Sequence, residues 1–357
     1  MLYRPLGKTG KDISVISFGG MRFSEPENRQ KSSETILYAY EQGINYFDTA
    51  PLYCDDRSEN IFGQALCQLP RESFYVSSKC SQDKGEDLRK SLERSLRRLK
   101  VEQIDFLYIW HLMNPEDWEG RKQGGAIEAA LQAQEEGLIG HLFCSSHMEG
   151  KGLAKVLDEN IFEGVLLGYN AINFPYRQTA VEQAGQQGIG VVTMNPLGGG
   201  LIPQNPEHFA FLKTANTDNV VSGALQFNLS HPAITTALVG FANTQEIDQA
   251  VEVVDTFIPY NKHQQQTLQT HIKASFAGFC TGCGYCLPCP VDIPIPKYLD
   301  SYNQIILTDG DKQAALNRYK MHWDITPQQA KECIACGACE ERCTQHLPII
   351  QRLAELP

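Results

Sequence analysis

The chain has 357 residues and a net charge of −11, from 31 Lys and Arg against 42 Asp and Glu, with 42% hydrophobic residues. That length suits one large domain plus a small one. The acidic balance argues against a nucleic-acid partner, which needs a basic face, and no run of about eighteen apolar residues is present to span a membrane.

From the N-terminus, short apolar runs alternate with longer amphipathic stretches. The pattern predicts strands over 15–21, 46–50, 74–80, 104–111, 141–146, 164–170, 190–196 and 235–240. Helices are expected over 33–42, 86–99, 126–136, 178–187 and 244–254. Within 87–99, Leu88, Leu92, Leu96 and Leu99 recur at helical spacing and form one core-facing stripe. Gly43, Gly137 and Gly188 each stand just before a strand, where a helix ends best on glycine. Eight β-then-α units within about 260 residues predict an α/β fold, a (β/α)8 TIM barrel. An open doubly wound sheet is the alternative, but no Gly-x-Gly-x-x-Gly follows the first strand.

In such a barrel the chemistry sits at the C-terminal ends of the strands. Those ends carry an acid, Asp48, a phenol, Tyr53, an amine, Lys79, and an imidazole, His111. Taken singly they read as a strand cap, a packing aromatic, a snorkelling amine and a core histidine. On successive strand ends they make one catalytic constellation. Reducing a carbonyl requires hydride at carbon and a proton at oxygen. A free phenol, with a pKa of about 10, is too weak an acid, and a nearby ammonium stabilises its phenolate. Asp48 would keep Lys79 charged, Tyr53 would give the proton and His111 would orient the carbonyl oxygen.

After about residue 265 Cys, Pro and Gly cluster, and 297–323 reads as mostly helical. Eight of the twelve cysteines fall in two runs, Cys280, Cys283, Cys286, Cys289 and Cys333, Cys336, Cys339, Cys343. C-x2-C-x2-C followed closely by a fourth Cys is the iron–sulfur spacing of bacterial ferredoxins. Two runs imply two [4Fe-4S] clusters, with one cluster as a variant. The first run closes with only two intervening residues, and Thr344 stands where ferredoxins usually have Pro. Structural zinc is the rival, although four cysteines within about ten residues, twice, exceed one tetrahedral site. Disulfides fit poorly, because MLYRPLGKTG has no apolar export core. A cytoplasmic location is therefore expected, with a barrel over 1–265 and a small α-helical ferredoxin-like domain over 266–357.

The stretch Tyr46-Phe-Asp48-Thr-Ala-Pro-Leu-Tyr53, with Lys79 and His111, resembles the catalytic tetrad of the aldo-keto reductase superfamily. Arg4-Pro-Leu-Gly-Lys-Thr-Gly10 and Phe18-Gly-Gly20-Met21-Arg22 fit the same family, and the resemblance covers roughly 1–260. With its cysteine runs, the whole chain resembles the branch carrying a C-terminal four-iron ferredoxin-type domain. The resemblance implies NAD(P)H bound across the barrel mouth and a small aldehyde or ketone as substrate. Gly20, Met21 and Arg22 fall at the first strand end, and Ser145, Ser146 and Asn170 at the nicotinamide carboxamide. Met194, Pro196, Leu197 and Gly199 match the loop over the pyrophosphate, and Gly240, Thr244 and Gln249 the adenosine turn. Leu166 stands where the family usually has a carboxamide-binding Gln, and Glu246 where NADP-preferring members often have Arg. A carboxylate there repels a 2′-phosphate, which tilts the expectation toward NADH. Two rival functions stay open: electron transfer between the clusters and a redox protein partner, and a non-catalytic nicotinamide-binding sensor. Cys54 and Cys144 are expected to pack rather than to react.

Overall fold

The computed structural model describes residues 1–171, 173–213, 219–275, 279–280, 284, 286–343 and 347–357. A hairpin of β1 (Tyr3–Pro5) and β2 (Asp12–Ser14) precedes the barrel. Eight parallel strands follow: β3 (Ile16–Gly19), β4 (Tyr46–Asp48), β5 (Tyr75–Cys80), β6 (Ile104–Leu112), β7 (Ile139–Ser146), β8 (Gly164–Gly168), β9 (Gly190–Met194) and β10 (Ile234–Gly240). They pair in sequence order, and β10 returns to pair with β3 from Ala237↔Ile16 to Gly240↔Gly19. The barrel is closed, so every expected strand is present and the open sheet is ruled out.

The period-3.6 stripes account for the outer layer. Helices run over Arg29–Glu41, Gly85–Leu99, Ala126–Glu135, Phe174–Gln187 and Thr244–Asp255, close to the expected bounds. Ser58–Leu66, Pro115–Gln123, Gly150–Leu157 and Val220–Leu229 are helical too. Leu88, Leu92, Leu96 and Leu99 are all buried between their helix and the sheet. Gly43, Gly137 and Gly188 have φ of 89°, 77° and 71°, the left-handed geometry that a side chain resists. Inside the barrel a separate cluster holds Tyr46, Phe106, Tyr108, Phe143, Leu166, Val192 and Leu238. Leu6 and Ile13 of the hairpin join it, so the hairpin plugs the N-terminal end and the mouth opens at the opposite rim.

Beyond the helix Lys262–Ser275, the C-terminal part builds its own core. Helices Ile295–Leu307, Lys312–Arg318 and Ile349–Glu355 enclose Ile293, Tyr298, Leu299, Tyr319 and Leu353 together with Cys286, Cys339 and Cys343. A π-helical turn, Tyr319–Trp323, closes the expected helical stretch. Among the described residues, no helix is long and apolar enough to cross a membrane.

One close approach can be tested directly. Gly63 lies inside the helix Ser58–Leu66, and a Cβ there would sit 2.0 Å from the carbonyl oxygen of Arg98. Gly to Ala within a helix usually gains about 1 kcal/mol. Here the sign reverses: Gly63→Ala lowers the thermal midpoint followed by circular dichroism, with an overpacking cost of about 1–3 kcal/mol. A raised midpoint would contradict this packing.

Candidate active site and cysteine cluster

Strand alternation builds the centre. On β5, Ser77 and Lys79 share the inward face, and Asp48 on β4 lies opposite Ser77. Lys79 is 1% exposed and Asp48 3%, so neither charge is solvated by bulk water. Nζ of Lys79 donates to both Asp48 oxygens at 2.6 Å and to the Thr49 carbonyl at 2.8 Å, which uses all three of its donors. Ser77 Oγ donates to Asp48 Oδ1 at 2.7 Å, and Tyr46 OH donates to Ser77 Oγ at 3.0 Å. Tyr108 OH, 2.7 Å from Tyr46 OH, must then be the donor of that pair. Burial pulls the Lys79 ammonium down, and Asp48 opposes that pull.

Tyr53 follows on a strained turn. Leu52, Cys54, Asp55 and Asp56 all have left-handed φ, between 53° and 70°. Such geometry persists only when its surroundings enforce it. Arg98 grips Asp56 with two bonds of 2.7 Å, and Asp56 Oδ1 accepts the Leu52 amide at 3.1 Å. Arg98 accordingly holds the Asp56 carboxyl down at about 2. The turn sets the Tyr53 ring 5.0 Å from Lys79 Nζ and edge-on to Trp110 at 5.7 Å. Burial first, then the charge of Asp48, pushes the Tyr53 hydroxyl well above its ordinary range. His111 has φ of 66° where the β6–β7 register slips between Ile109 and Leu112. The irregularity re-aims the strand end, as bulges beside active sites do.

A cleft of about 410 Å³ opens at the same rim. Arg22, Pro196, Leu197, Gly199, Gly240 and Gln249, all expected at the cofactor, line it, as do Asn195, Gln204 and Glu246. Glu246 also caps its own helix by accepting the Ala242 amide at 2.8 Å. The other expected residues lie apart from these walls. Gly20 is a packing glycine, since a Cβ would meet Phe62 at 2.4 Å and Ser58 Oγ at 2.7 Å. Met21 is exposed, Met194 packs on the interior cluster and Thr244 begins the helix after the Asn243 cap. Ser145 and Ser146 are buried at the end of β7; Ser146 Oγ donates to Leu112 O at 3.0 Å and accepts from the Met148 amide at 3.0 Å. Asn170 donates to Asn195 O at 2.8 Å. Leu166 is buried in the barrel interior beside Ser145.

A second, small cavity joins the barrel to the C-terminal part. It is walled by His147, Asn170 and Arg177 on one side and by Gln304, Arg318, His322 and Trp323 on the other. Sequence reading missed this contribution, because about 150 residues of intervening chain hide it and the only local signal is the aromatic turn Tyr319–Trp323.

The cysteine runs also converge. Cys286, Cys289, Cys333, Cys336 and Cys339 line one cavity with Ile293, Ile295, Ile334, Ile350 and Leu353. No three His, Cys, Asp or Glu side chains among the described residues close on a point as a single ion requires. In the barrel, Cys54, Cys67, Cys80 and Cys144 form no disulfide. Cys283 and Thr344 lie outside the described residues. Cys54 is half-buried and Cys144 fully buried, and burial pushes both thiols up, which suits packing.

Comparison with known proteins agrees with this architecture. The aldo/keto reductase family matches residues 15–273 and the 4Fe-4S dicluster domain matches residues 279–348. The chain belongs to the aldo/keto reductase family, as an oxidoreductase with a C-terminal 4Fe-4S dicluster domain. It is 26% identical to L-galactose dehydrogenase of Arabidopsis thaliana over 280 residues, 70% of this chain and 87% of that protein. It is 35% identical to the NADH-specific methylglyoxal reductase of Escherichia coli (strain K12) over 133 residues, 30% of this chain and 40% of that one. The holo form of aldo-keto reductase AKR11C1 from Bacillus halodurans shares the fold, with a TM-score of 0.67 at 21% identity over 76% of this chain and 96% of that chain.

The ion pair sets a stability test. Asp48→Asn leaves a buried ammonium without its counter-charge, which costs about 3–5 kcal/mol in urea unfolding. Adding Lys79→Met recovers most of that loss. A single-variant cost below about 1 kcal/mol would show the pair to be better solvated than its geometry implies.

Proposed function

We propose that the barrel reduces a small aldehyde or ketone to an alcohol, or runs the reverse reaction, with Tyr53 as the proton donor. The observation that carries this reading is the buried Asp48–Lys79 pair set 5.0 Å from the Tyr53 ring at the barrel mouth. Bound NAD(P)H supplies the hydride. The cleft at the same rim has the volume of a ligand site, and Gly199 leaves open backbone, since a Cβ there would meet nothing within 4 Å. Arg22, Leu197, Gly240 and Gln249 would hold the dinucleotide, with Ser145 and Asn170 at the carboxamide. Ser146 is committed to Leu112. Glu246 in the cleft wall favours NADH, and Arg22 in the same wall tempers that preference. One relative is itself named NADH-specific.

The residues divide the proton work. Burial keeps Tyr53 protonated until a carbonyl arrives. Lys79, its donors already spent, acts through its charge on the phenolate that remains rather than by a direct bond. His111 hydrogen-bonds the carbonyl oxygen and fixes its approach.

In the C-terminal unit, which we place at 266–357, five cysteines line one cavity, more thiolates than a single tetrahedral ion takes, which supports a metal cluster. We assign Cys333, Cys336, Cys339 and Cys289 to one [4Fe-4S] group, and Cys280, Cys283, Cys286 and Cys343 to a second. Cys286 and Cys289 of the first run both line the cavity of the second run, which supports a shared ligand set; giving the last Cys of each run to the other run's group follows the ferredoxin pattern. Such groups accept or release one electron at a time, so a redox protein is the natural partner. If that exchange were the main function, NADH added without oxygen would bleach the cluster absorbance within seconds.

Two measurements test these assignments. Tyr53→Phe lowers carbonyl turnover by about 10²-fold or more while nicotinamide binding, read by fluorescence, persists. Unchanged turnover would overturn the proton assignment. Protein purified without oxygen should hold about eight irons per chain, and Cys336→Ser should drop this to roughly four. Zinc in place of iron would overturn the cluster assignment.

A further inference from the structure

The two cysteine runs stand in different surroundings. Cys286 and Cys289 line an apolar cavity with Cys333, Cys336 and Cys339. Cys280 and Cys343 lie instead within reach of one buried charge, the guanidinium of Arg352 on the helix Ile349–Glu355. Arg352 is 9% exposed, and its Nη1 finds no hydrogen-bond acceptor among the described residues. The guanidinium lies 5.0 Å over the Tyr302 ring. Beside Tyr302, on the helix Ile295–Leu307, Asn303 holds Cys280 by its backbone. The Cys280 amide donates to Asn303 Oδ1 and Asn303 Nδ2 donates to the Cys280 carbonyl, each at 2.9 Å. Cys343 Sγ accepts the Leu347 amide at 3.4 Å.

Burial opposes the charge on Arg352, while Tyr302, Cys280, Cys343 and Glu355 favour it. Glu355 is a partial counter-charge. Its carboxylate accepts from Tyr302 OH and Gln351 Nε2, and Lys312 draws on the same charge. The other cysteines have no comparable cation. Among the described residues Arg352 is the one buried Arg or Lys of 266–357, and Lys331 and Arg342, beside the second run, are exposed. Leaving a buried donor without an acceptor is costly, so Nη1 fits a negatively charged, sulfur-rich group at Cys280 and Cys343. A [4Fe-4S] group on four thiolates has that character, and one-electron reduction adds to its negative charge. A fixed cation and an N–H···S bond stabilise the added charge, which raises the reduction potential.

We propose that Arg352 sets the two groups apart, raising the reduction potential of the Cys280, Cys283, Cys286 and Cys343 group above that of its neighbour, so that the first electron from a one-electron donor is held beside Arg352. The donor is oxidised by one electron and this group is reduced by one, with no proton required. The proposal rests on the two-cluster assignment above and gives it an order. It also uses an observation that assignment did not: Arg352 brings together Cys280 of the first run and the last cysteine of the second. Cys336, exposed and in the other group, marks the face through which a redox protein reaches the pair.

The full chain, purified without oxygen, is titrated with dithionite while electron paramagnetic resonance follows each reduced group. Two one-electron midpoints are expected. Cys336→Ser removes the other group and should leave the higher midpoint. Arg352→Gln should weaken reduction at that midpoint by about tenfold, or about 59 mV for one electron, and move the lower one by less than about threefold. Arg352→Lys keeps the charge and should stay closer to the unaltered protein. Because Arg352 is buried, Glu355→Gln provides a second reading from a half-exposed side chain. Removing that partial counter-charge should move the same midpoint upward. A higher midpoint that vanishes with Cys336→Ser overturns the proposal, as does one that neither Arg352→Gln nor Glu355→Gln moves. Should Arg352→Gln lose its iron, Glu355→Gln decides, an upward shift supporting the proposal and an unmoved midpoint overturning it. About eight irons per chain with unmoved midpoints would sink this inference alone. About four irons, or zinc, would sink the two-cluster assignment and this inference with it.

Discussion

The site depends on one costly arrangement, an ammonium and a carboxylate held out of water between β4 and β5. Desolvating such a pair costs several kcal/mol per ion, and only complete hydrogen bonding makes it tolerable. That demand explains the polar thread through an otherwise apolar barrel. Asp48 accepts from Lys79 and Ser77, Ser77 accepts from Tyr46, and Tyr46 accepts from Tyr108. Replacing any of these groups with an apolar one strands a donor or an acceptor further along the thread. The thread also fixes rotamers: Tyr46, Phe106 and Tyr108 are held edge to face or by hydroxyl contacts, and a rigid floor results beneath the mouth. Positional precision at Lys79 is thus a property of three strands, β4, β5 and β6, rather than of one side chain.

Strain at the rim is the counterpart of that rigidity. Four left-handed residues around Tyr53 and another at His111 place both rim side chains outside ordinary strand and turn geometry. The bidentate Arg98–Asp56 grip offsets the first, reaching 42 residues back along the chain. The register slip of β6 accommodates the second. A turn made of Leu, Tyr, Cys and Asp has no intrinsic preference for this shape, so the surrounding fold must impose it.

Much of this was legible in the sequence, because it is written in local patterns. Alternating apolar runs exposed all eight strands, and the Leu88–Leu99 stripe and the helix-ending glycines exposed the helices between them. Asp48, Lys79 and His111 could be placed together because a closed barrel collects every strand end on one rim. What escaped was non-local. Nothing near Ser146 shows that its hydroxyl belongs to Leu112, and nothing near Gly20 shows that Phe62 crowds it. The hairpin plug was missed because three-residue strands carry too little periodicity to register. Above all, Arg318, His322 and Trp323 read as ordinary residues of a small helical segment until folding brings them against His147 and Arg177.

That last contact changes how the two halves of the chain relate. A tethered electron carrier would need only a surface near the barrel, and a polar, exposed junction would serve. Here the junction is a buried cationic group stacked on Trp323, with neutral histidines leading to His111. Trp323 is held by Asp300, and Asp300 belongs to the helix Ile295–Leu307, whose Tyr298 and Leu299 pack in the same core as Cys286, Cys339 and Cys343. One continuous set of contacts therefore runs from the cysteine core through Asp300 and Trp323 to the cavity wall beside His147. The C-terminal domain is thus packed against the barrel next to His147, and the cavity wall there is built from both halves of the chain.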